Sequence, residues 1–122
     1  MKGDVEALGS KLVVFTVPAL EEVSVDLYEK AITKITYPER LCLEEAPGHI
    51  RLSQILAKID IELIHLLPIF RRVIREDGIQ LYRLSDQHWN PEGHALAAEV
   101  VVSELVRRGL LPISVKQTLS QP

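Results

Sequence analysis

Apolar positions along the chain follow two different spacings. Residues 12–17 form a continuous apolar, β-rich run closed by Pro18, which is typical of a strand buried on both faces of a parallel sheet. Residues 61–66 alternate in part between apolar and polar side chains and end before Pro68. The two runs therefore predict two strands, separated by more than 40 residues.

Helical spacing dominates the rest of the chain. Residues 21–35 carry apolar side chains four positions apart, which predicts one amphipathic helix ending at Tyr37-Pro38. Residues 38–48 show no period and predict a loop with a turn at Pro47-Gly48. A short helix follows, then a helical turn over residues 70–75 and a turn at Asp77-Gly78. The predicted apolar face of the short helix consists of Leu52, Ile55, Leu56 and Ile59.

The clearest helix begins after Asn90. Asn90 is a good N-cap residue, Pro91 suits the first helical position, and Gly109 is expected to stop the helix. Its predicted core face comprises Leu96, Ala97, Val100, Val101 and Leu105.

The order strand, helix, helix, strand, helix predicts an α/β fold with parallel strands flanked by helices. Because sheets of this class usually contain about five or six strands, two strands predict a partial doubly wound fold with an open sheet edge. We expect one domain over residues 1–122, with its core in residues 11–110 and a tail over residues 111–122.

Charge and composition narrow the possible functions. Fourteen Lys and Arg against seventeen Asp and Glu give a net charge of −3, which argues against a nucleic-acid partner. The single cysteine, Cys42, excludes an internal disulfide and a thiolate-based zinc site; we expect it to be a small buried apolar residue. No signal-peptide-like start and no run of about 20 apolar residues is present, so we expect a soluble chain without a membrane segment. These features do not identify a compartment.

Candidate chemistry concentrates at the start of the last helix, where Asp86, His88, Glu92 and His94 fall within nine residues beside Trp89. Hydrolysis by a serine needs an imidazole base and a carboxylate that orients it. In doubly wound folds ligands bind in the loops that lead from strands into helices. An Asp two residues before a His in such a loop can supply both groups.

At these residues the chain resembles a known family. Asp86-Gln87-His88-Trp89-Asn90-Pro91-Glu92-Gly93-His94 is similar to the C-terminal block of SGNH/GDSL hydrolases, in the D-x-H-W-N-x-x-G-H form found in O-acetyl esterases and transferases. The resemblance implies a flavodoxin-like three-layer sandwich, with His88 as catalytic base and Asp86 as its orienting carboxylate. It implies acyl or acetyl ester substrates, carbohydrate esters among them, and no cofactor.

The nucleophile block of that family does not occur in this sequence. Gly3-Asp4-Val5 has valine at the serine position, and the Gly and Asn blocks that supply oxyanion donors are also missing. We therefore expect the C-terminal part of such an enzyme, without the N-terminal strands and inactive alone. Its partner would be the missing half or a second copy at the open sheet edge. The resemblance is compatible with a parent protein in the bacterial envelope.

Several residues allow a simpler interpretation. Trp89 is either a core anchor or a substrate platform, Asn90 is expected to be mainly a helix cap, and His94 is expected to support the loop. A metal site at Asp86, His88 and His94 is an alternative, since carboxylate and imidazole bind Zn²⁺ and Mn²⁺.

A second hypothesis makes the chain a non-catalytic α/β module that pairs through its open sheet edge. The remaining candidates are expected to be structural or solvent-facing: His49 in a surface loop, His65 in the core or at a strand end, and Arg71, Arg72 and Arg75 on a solvated face that could hold an anion.

Overall fold

The structure, a computed structural model, describes residues 1–31 and 47–112. Two short strands, β1 (Val13–Phe15) and β2 (Glu62–Ile64), form a parallel two-stranded sheet. Val14 pairs with Leu63, and the register continues to either side of this pair. Both predicted strands are confirmed, and so is the coarse α/β class with parallel strands.

Helices make up most of the described chain. One helix precedes β1, two lie between β1 and residue 31, one lies just before β2, and two follow β2, the first of which continues into a π-helical turn. Their bounds are α1 Lys2–Ala7, α2 Leu20–Val23, α3 Val25–Ala31, α4 Pro47–Lys58, α5 Leu67–Arg72, the π-helical turn Val73–Asp77 and α6 Pro91–Arg107. The sequence pattern did not predict α1, which has no buried residue.

The single helix predicted over residues 21–35 is interrupted at Ser24, and its last four residues lie outside the described part. Ser24 has extended backbone angles (φ −151°, ψ 111°). Its hydroxyl oxygen accepts a hydrogen bond from the Leu27 N–H at 3.3 Å. Ser24 therefore caps the start of α3 as an N-cap residue does. The apolar spacing continues across this break, which is why periodicity alone predicted one helix.

The turn predicted at Pro47-Gly48 is wrong, because α4 begins at Pro47. Proline suits the first helical position, where its missing N–H has no helical partner to lose. The rest of the predicted loop, residues 38–46, lies outside the described residues, as does Cys42. Of the predicted apolar face of α4, Leu56 is buried, whereas Ile55 and Ile59 are about half exposed.

The core lies among α2, α3, β2, α5, the segment before α6, and α6 itself. Its fully buried side chains include Leu20, Ile64, Phe70 and Tyr82. Ala97 is buried and the other predicted core-face residues of α6 pack against this cluster, so the predicted face of the last helix is confirmed. Within the described residues no charged side chain is fully buried, and the buried Tyr82 hydroxyl donates to the Pro18 carbonyl at 2.7 Å.

The prediction that β1 is buried on both faces is wrong for the described structure. Val13 and Val14 are only half-buried, Phe15 is 47% exposed, and Val17 just after the strand is 64% exposed. Each strand has a single neighbour among the described residues, so β1 is an edge strand of the sheet that they form.

Arg108, at the C-cap of α6, ties this helix to the sheet. Its guanidinium donates to Glu62 Oε2 at 2.6 Å and to the Leu63 carbonyl at 3.2 Å. Glu62 also pairs with Lys11 just before β1. Among the described helices, none is long and apolar enough to cross a bilayer.

Candidate active site

The residues that carry the D-x-H-W-N block lie on a hairpin that leads into α6. Tyr82 and Trp89 form an antiparallel bridge. On either side of it, Arg83 N–H donates to the His88 carbonyl at 2.8 Å and Asn90 N–H donates to the Leu81 carbonyl at 3.0 Å. Residues 84–87 therefore form the turn of the hairpin. His88 directly follows this turn and lies opposite Arg83.

The turn contains a left-handed residue between the two candidate catalytic groups. Gln87 has a φ of 60°, which is uncommon for a residue with a side chain. Its N–H donates to the Arg83 carbonyl at 2.8 Å, which closes the turn. This backbone bend brings the Asp86 carboxylate back toward His88, and residue spacing alone carries no signal for it.

Asp86 and His88 are adjacent in the structure. Asp86 Oδ1 accepts a hydrogen bond from the His88 backbone N–H at 3.1 Å and lies 3.6 Å from His88 Nδ1. The His88 side chain is 77% exposed, so most of the imidazole ring is open to solvent. The ring thus has a carboxylate near one nitrogen and is otherwise largely accessible.

Two neighbours lower the pKa of the Asp86 carboxyl group. The hydrogen bond from the His88 backbone N–H lowers the pKa of Asp86 the most, and the positive charge of Arg83 lowers it further. The Arg83 guanidinium lies 3.2 Å from Oδ2. Because Arg83 takes Oδ2, Oδ1 is the oxygen that faces His88.

Asn90 holds the hairpin and the helix together. Its Oδ1 accepts from the Gly93 N–H at 2.8 Å, as an N-cap does, and its Nδ2 donates to the Gln80 carbonyl at 2.7 Å. The predicted cap is confirmed. Gly93 lies against the hairpin so closely that a Cβ there would sit 2.4 Å from the Leu81 carbonyl oxygen.

Trp89 packs into the core side of the hairpin. Its ring lies 5.0 Å from that of Phe70 and 5.5 Å from the edge-on ring of His94. The indole Nε1 is buried and has no hydrogen-bond partner in the described residues. These contacts favour the anchor interpretation of Trp89 and the supporting role of His94, whose side chain rests on Trp89 at the hairpin.

The alternative metal site receives no support. Across residues 1–31 and 47–112, no three His, Cys, Asp or Glu side chains are grouped so that they could hold a metal ion. Asp86 and His88 lie on the hairpin, and His94 lies in the first turn of α6. The three side chains do not form such a group.

A second polar cluster, formed by Thr16, Glu22 and His49, lies away from the hairpin and was not predicted from the sequence. His49 was expected in a surface loop, but it lies in the first turn of α4 with its side chain only 12% exposed, between Thr16 and Glu22. His65, which follows β2 directly, is exposed, as expected of a strand-end residue. Of the arginine cluster, Arg75 is exposed and Arg72 is exposed as well, whereas Arg71 is half-buried and donates from Nε to the Glu22 carbonyl at 2.7 Å.

Comparison of the chain with protein-family models, with curated proteins and with solved structures finds no match. The resemblance of the hairpin motif to SGNH/GDSL hydrolases therefore stays a prediction from the sequence.

Proposed function

We propose that this chain is the C-terminal portion of an SGNH/GDSL-type serine esterase or O-acetyl hydrolase or transferase. In this proposal His88 is the general base and Asp86 orients it. One observation carries the proposal: the Asp86 carboxylate lies at the Nδ1 side of His88, while most of the imidazole ring is open to solvent. This is the relative arrangement of carboxylate, imidazole and free base that serine hydrolysis needs.

The chemistry follows from the hairpin. An ionised Asp86 favours the tautomer of His88 that has its proton on Nδ1, because a carboxylate can only accept a hydrogen bond. Nε2 then carries the lone pair that takes the proton from a serine hydroxyl, and Asp86 stabilises the resulting imidazolium. The 3.6 Å separation between Nδ1 and Oδ1 is longer than a hydrogen bond, and a small ring rotation in the complex would shorten it.

The nucleophile and the oxyanion donors would come from another polypeptide segment. In the family that the motif resembles, the Gly-Asp-Ser block lies on the first strand of the same parallel sheet. The outer edges of β1 and β2, which have no neighbouring strand among the described residues, offer room for such strands and for completion of a flavodoxin-like three-layer sandwich. The substrates would be acyl or acetyl esters, including esters on carbohydrate.

Hydrolysis of p-nitrophenyl acetate tests the proposal. The purified chain is assayed alone and mixed with a polypeptide that comprises the Gly-Asp-Ser and oxyanion blocks of an SGNH hydrolase. We expect turnover only in the mixture, and the variants His88→Ala and Asp86→Asn should lower kcat by on the order of 10⁴-fold, because both act as one unit with the serine.

Asp77→Asn is the matched control, because Asp77 is also an exposed Asp, at the end of the π-helical turn. It should leave the rate in the mixture unchanged. If a mixture that forms a complex shows no turnover, or if its turnover survives His88→Ala, the proposed role of His88 is wrong.

A different function is favoured by the sheet itself. Phe15 and Val17 expose apolar surface at β1, and an unpaired strand edge is a template for pairing with another chain. In this second candidate the chain is a non-catalytic module that adds its β1–β2 sheet to a strand of a second copy.

A further inference from the structure

Three side chains, two of them close in the sequence and the third distant, form a continuous hydrogen-bonded row. Thr16 Oγ1 lies 3.0 Å from His49 Nδ1, and His49 Nε2 lies 3.0 Å from Glu22 Oε2. All three are partly buried, with the His49 side chain 12% and the Glu22 side chain 21% exposed. The row joins the end of β1 to α2 and α4, and it is separate from the Asp86–His88 hairpin.

The direction of each hydrogen bond follows from the chemistry of the groups. An ionised carboxylate only accepts, so the proton of a neutral His49 lies on Nε2 and is donated to Glu22. His49 Nδ1 then carries the lone pair and accepts the hydrogen bond from the Thr16 hydroxyl. A hydroxyl that donates to an imidazole, which in turn is oriented by a carboxylate, is the arrangement of an activated nucleophile.

The surrounding backbone fixes this arrangement. Glu22 Oε2 also accepts from the Ala19 N–H at 3.1 Å, which anchors the carboxylate at the first turn of α2. Arg71 holds the backbone of the same residue through its 2.7 Å bond to the Glu22 carbonyl. Thr16 directly follows β1, at the carboxyl end of the parallel sheet, where ligands bind in open α/β sheets.

A pocket of about 370 Å³ opens on the α4 side of the row, next to His49. Ile50, Leu67 and Pro68 give it apolar walls, and His65 and Arg71 add polar groups. Of the row, this pocket borders the proposed base, His49.

We propose that Thr16 is a nucleophile of this chain, which accepts an acyl group from small esters with His49 as general base. Thr16 Oγ1 forms a bond to the carbonyl carbon of the ester, and the bond from that carbon to the alcohol oxygen breaks. The hydroxyl proton passes to His49 Nδ1, and the imidazolium is stabilised by Glu22. The alcohol departs, as p-nitrophenolate when p-nitrophenyl acetate is the donor, and Thr16 carries an acetyl ester.

Intact-mass spectrometry and peptide mapping after exposure of the full chain to p-nitrophenyl acetate test this proposal. We expect one acetyl group on Thr16 that hydroxylamine removes, since hydroxylamine cleaves esters and spares the amides formed on lysines. His49→Gln should slow this labelling by on the order of 100-fold, because it removes a general base. Thr16→Val should abolish it, and Thr16→Ser should retain it.

Two controls separate this site from the rest of the chain. Ser10→Ala removes an exposed hydroxyl outside the row, and His88→Ala removes the base of the proposed hydrolase; neither should change labelling of Thr16. The proposal is thus independent of the role of His88, and its failure would leave that role intact. Thermal melts of each variant establish that it is folded. Labelling of Thr16 at the same rate in folded His49→Gln, or no ester on Thr16 in the wild-type chain, overturns it.

Discussion

Gly93 sets the distance between α6 and the hairpin that carries Asp86 and His88. Its missing side chain allows the first turn of the helix to approach the Leu81 carbonyl, and an added Cβ would lie 2.4 Å from that oxygen and 3.2 Å from the Trp89 Cβ. Both neighbours are close to the backbone and cannot rotate away. Position 93 therefore requires glycine because α6 lies so close to the hairpin, and not because of a special backbone angle.

We expect Gly93→Ala to lower the free energy of unfolding by about 1–3 kcal/mol, the usual cost of overpacking a well-packed site. Urea unfolding measures the change. Gly48→Ala is the matched control, because Gly48 also lies in the first turn of a helix but a Cβ added there would have nothing within 4 Å. Equal free energies of unfolding for the two variants would contradict the packing argument.

The roles of single residues could be predicted where they depend on neighbours that are close in the sequence. Asn90 caps α6 and Gly109 follows it with a φ of 71°, and both roles depend on residues within one or two turns. The row formed by Thr16, His49 and Glu22 was not predictable, because its hydrogen bonds join residues 33 and 27 positions apart. Only the pairing of β1 with β2 and the helices between them bring these residues together.

At the scale of elements, the C-terminal end of α6 is held by a group of charges. Glu104 accepts hydrogen bonds from Arg107 at 2.7 and 3.1 Å, and from Arg108 at 3.2 Å. These bonds, with that to Arg107 contributing most, lower the pKa of Glu104 to about 2. Arg108 also reaches Glu62 and the Leu63 carbonyl in β2, so the group links the last helix to the sheet.

We expect Glu104→Gln to lower the stability at neutral pH and to bring it closer to that of the wild type in acid. A carboxyl with a lowered pKa stabilises the folded state fully above its unfolded pKa and loses that contribution as pH falls through the folded pKa. The difference between the two proteins should therefore shrink between about pH 4.5 and 2. Urea unfolding at a series of pH values measures it.

Glu99→Gln serves as the control for this element, since Glu99 is exposed on the same helix. It should follow the wild-type dependence on pH. A constant difference between wild type and Glu104→Gln across the acid range would show that Glu104 acts through packing and not through its charge.

Elements with strong periodic patterns were predicted well, and those decided by one side chain were not. Both strands and the last helix follow their apolar spacing. The break at Ser24 depends on one hydroxyl that competes with the helical backbone bonds, and the start of α4 depends on Pro47, which is equally at home in a turn.

At the scale of the whole molecule, the sheet formed by the described residues has two strands, fewer than the five or six of an average sheet. Isolated two-stranded sheets are marginal in water, and three or more strands or packing against helices are needed. Here β2 is covered by α4 and the core, whereas β1 exposes Phe15. The order of the elements predicted two parallel strands correctly, but the exposure of the β1 side chains could not be predicted, because the sequence of β1 is that of a buried strand.

The open edge makes a prediction about assembly. If β1 pairs with a second copy, the chain should self-associate with increasing concentration in sedimentation velocity, and Phe15→Lys should weaken that association, because a charge on an edge strand opposes pairing. Ile79→Lys is the matched control, since Ile79 is 45% exposed but lies outside the sheet. Association that both substitutions weaken equally would assign it to general apolar surface. A wild-type chain that stays monomeric at all concentrations would remove self-pairing as a function and leave the edge for the strands of a hydrolase partner.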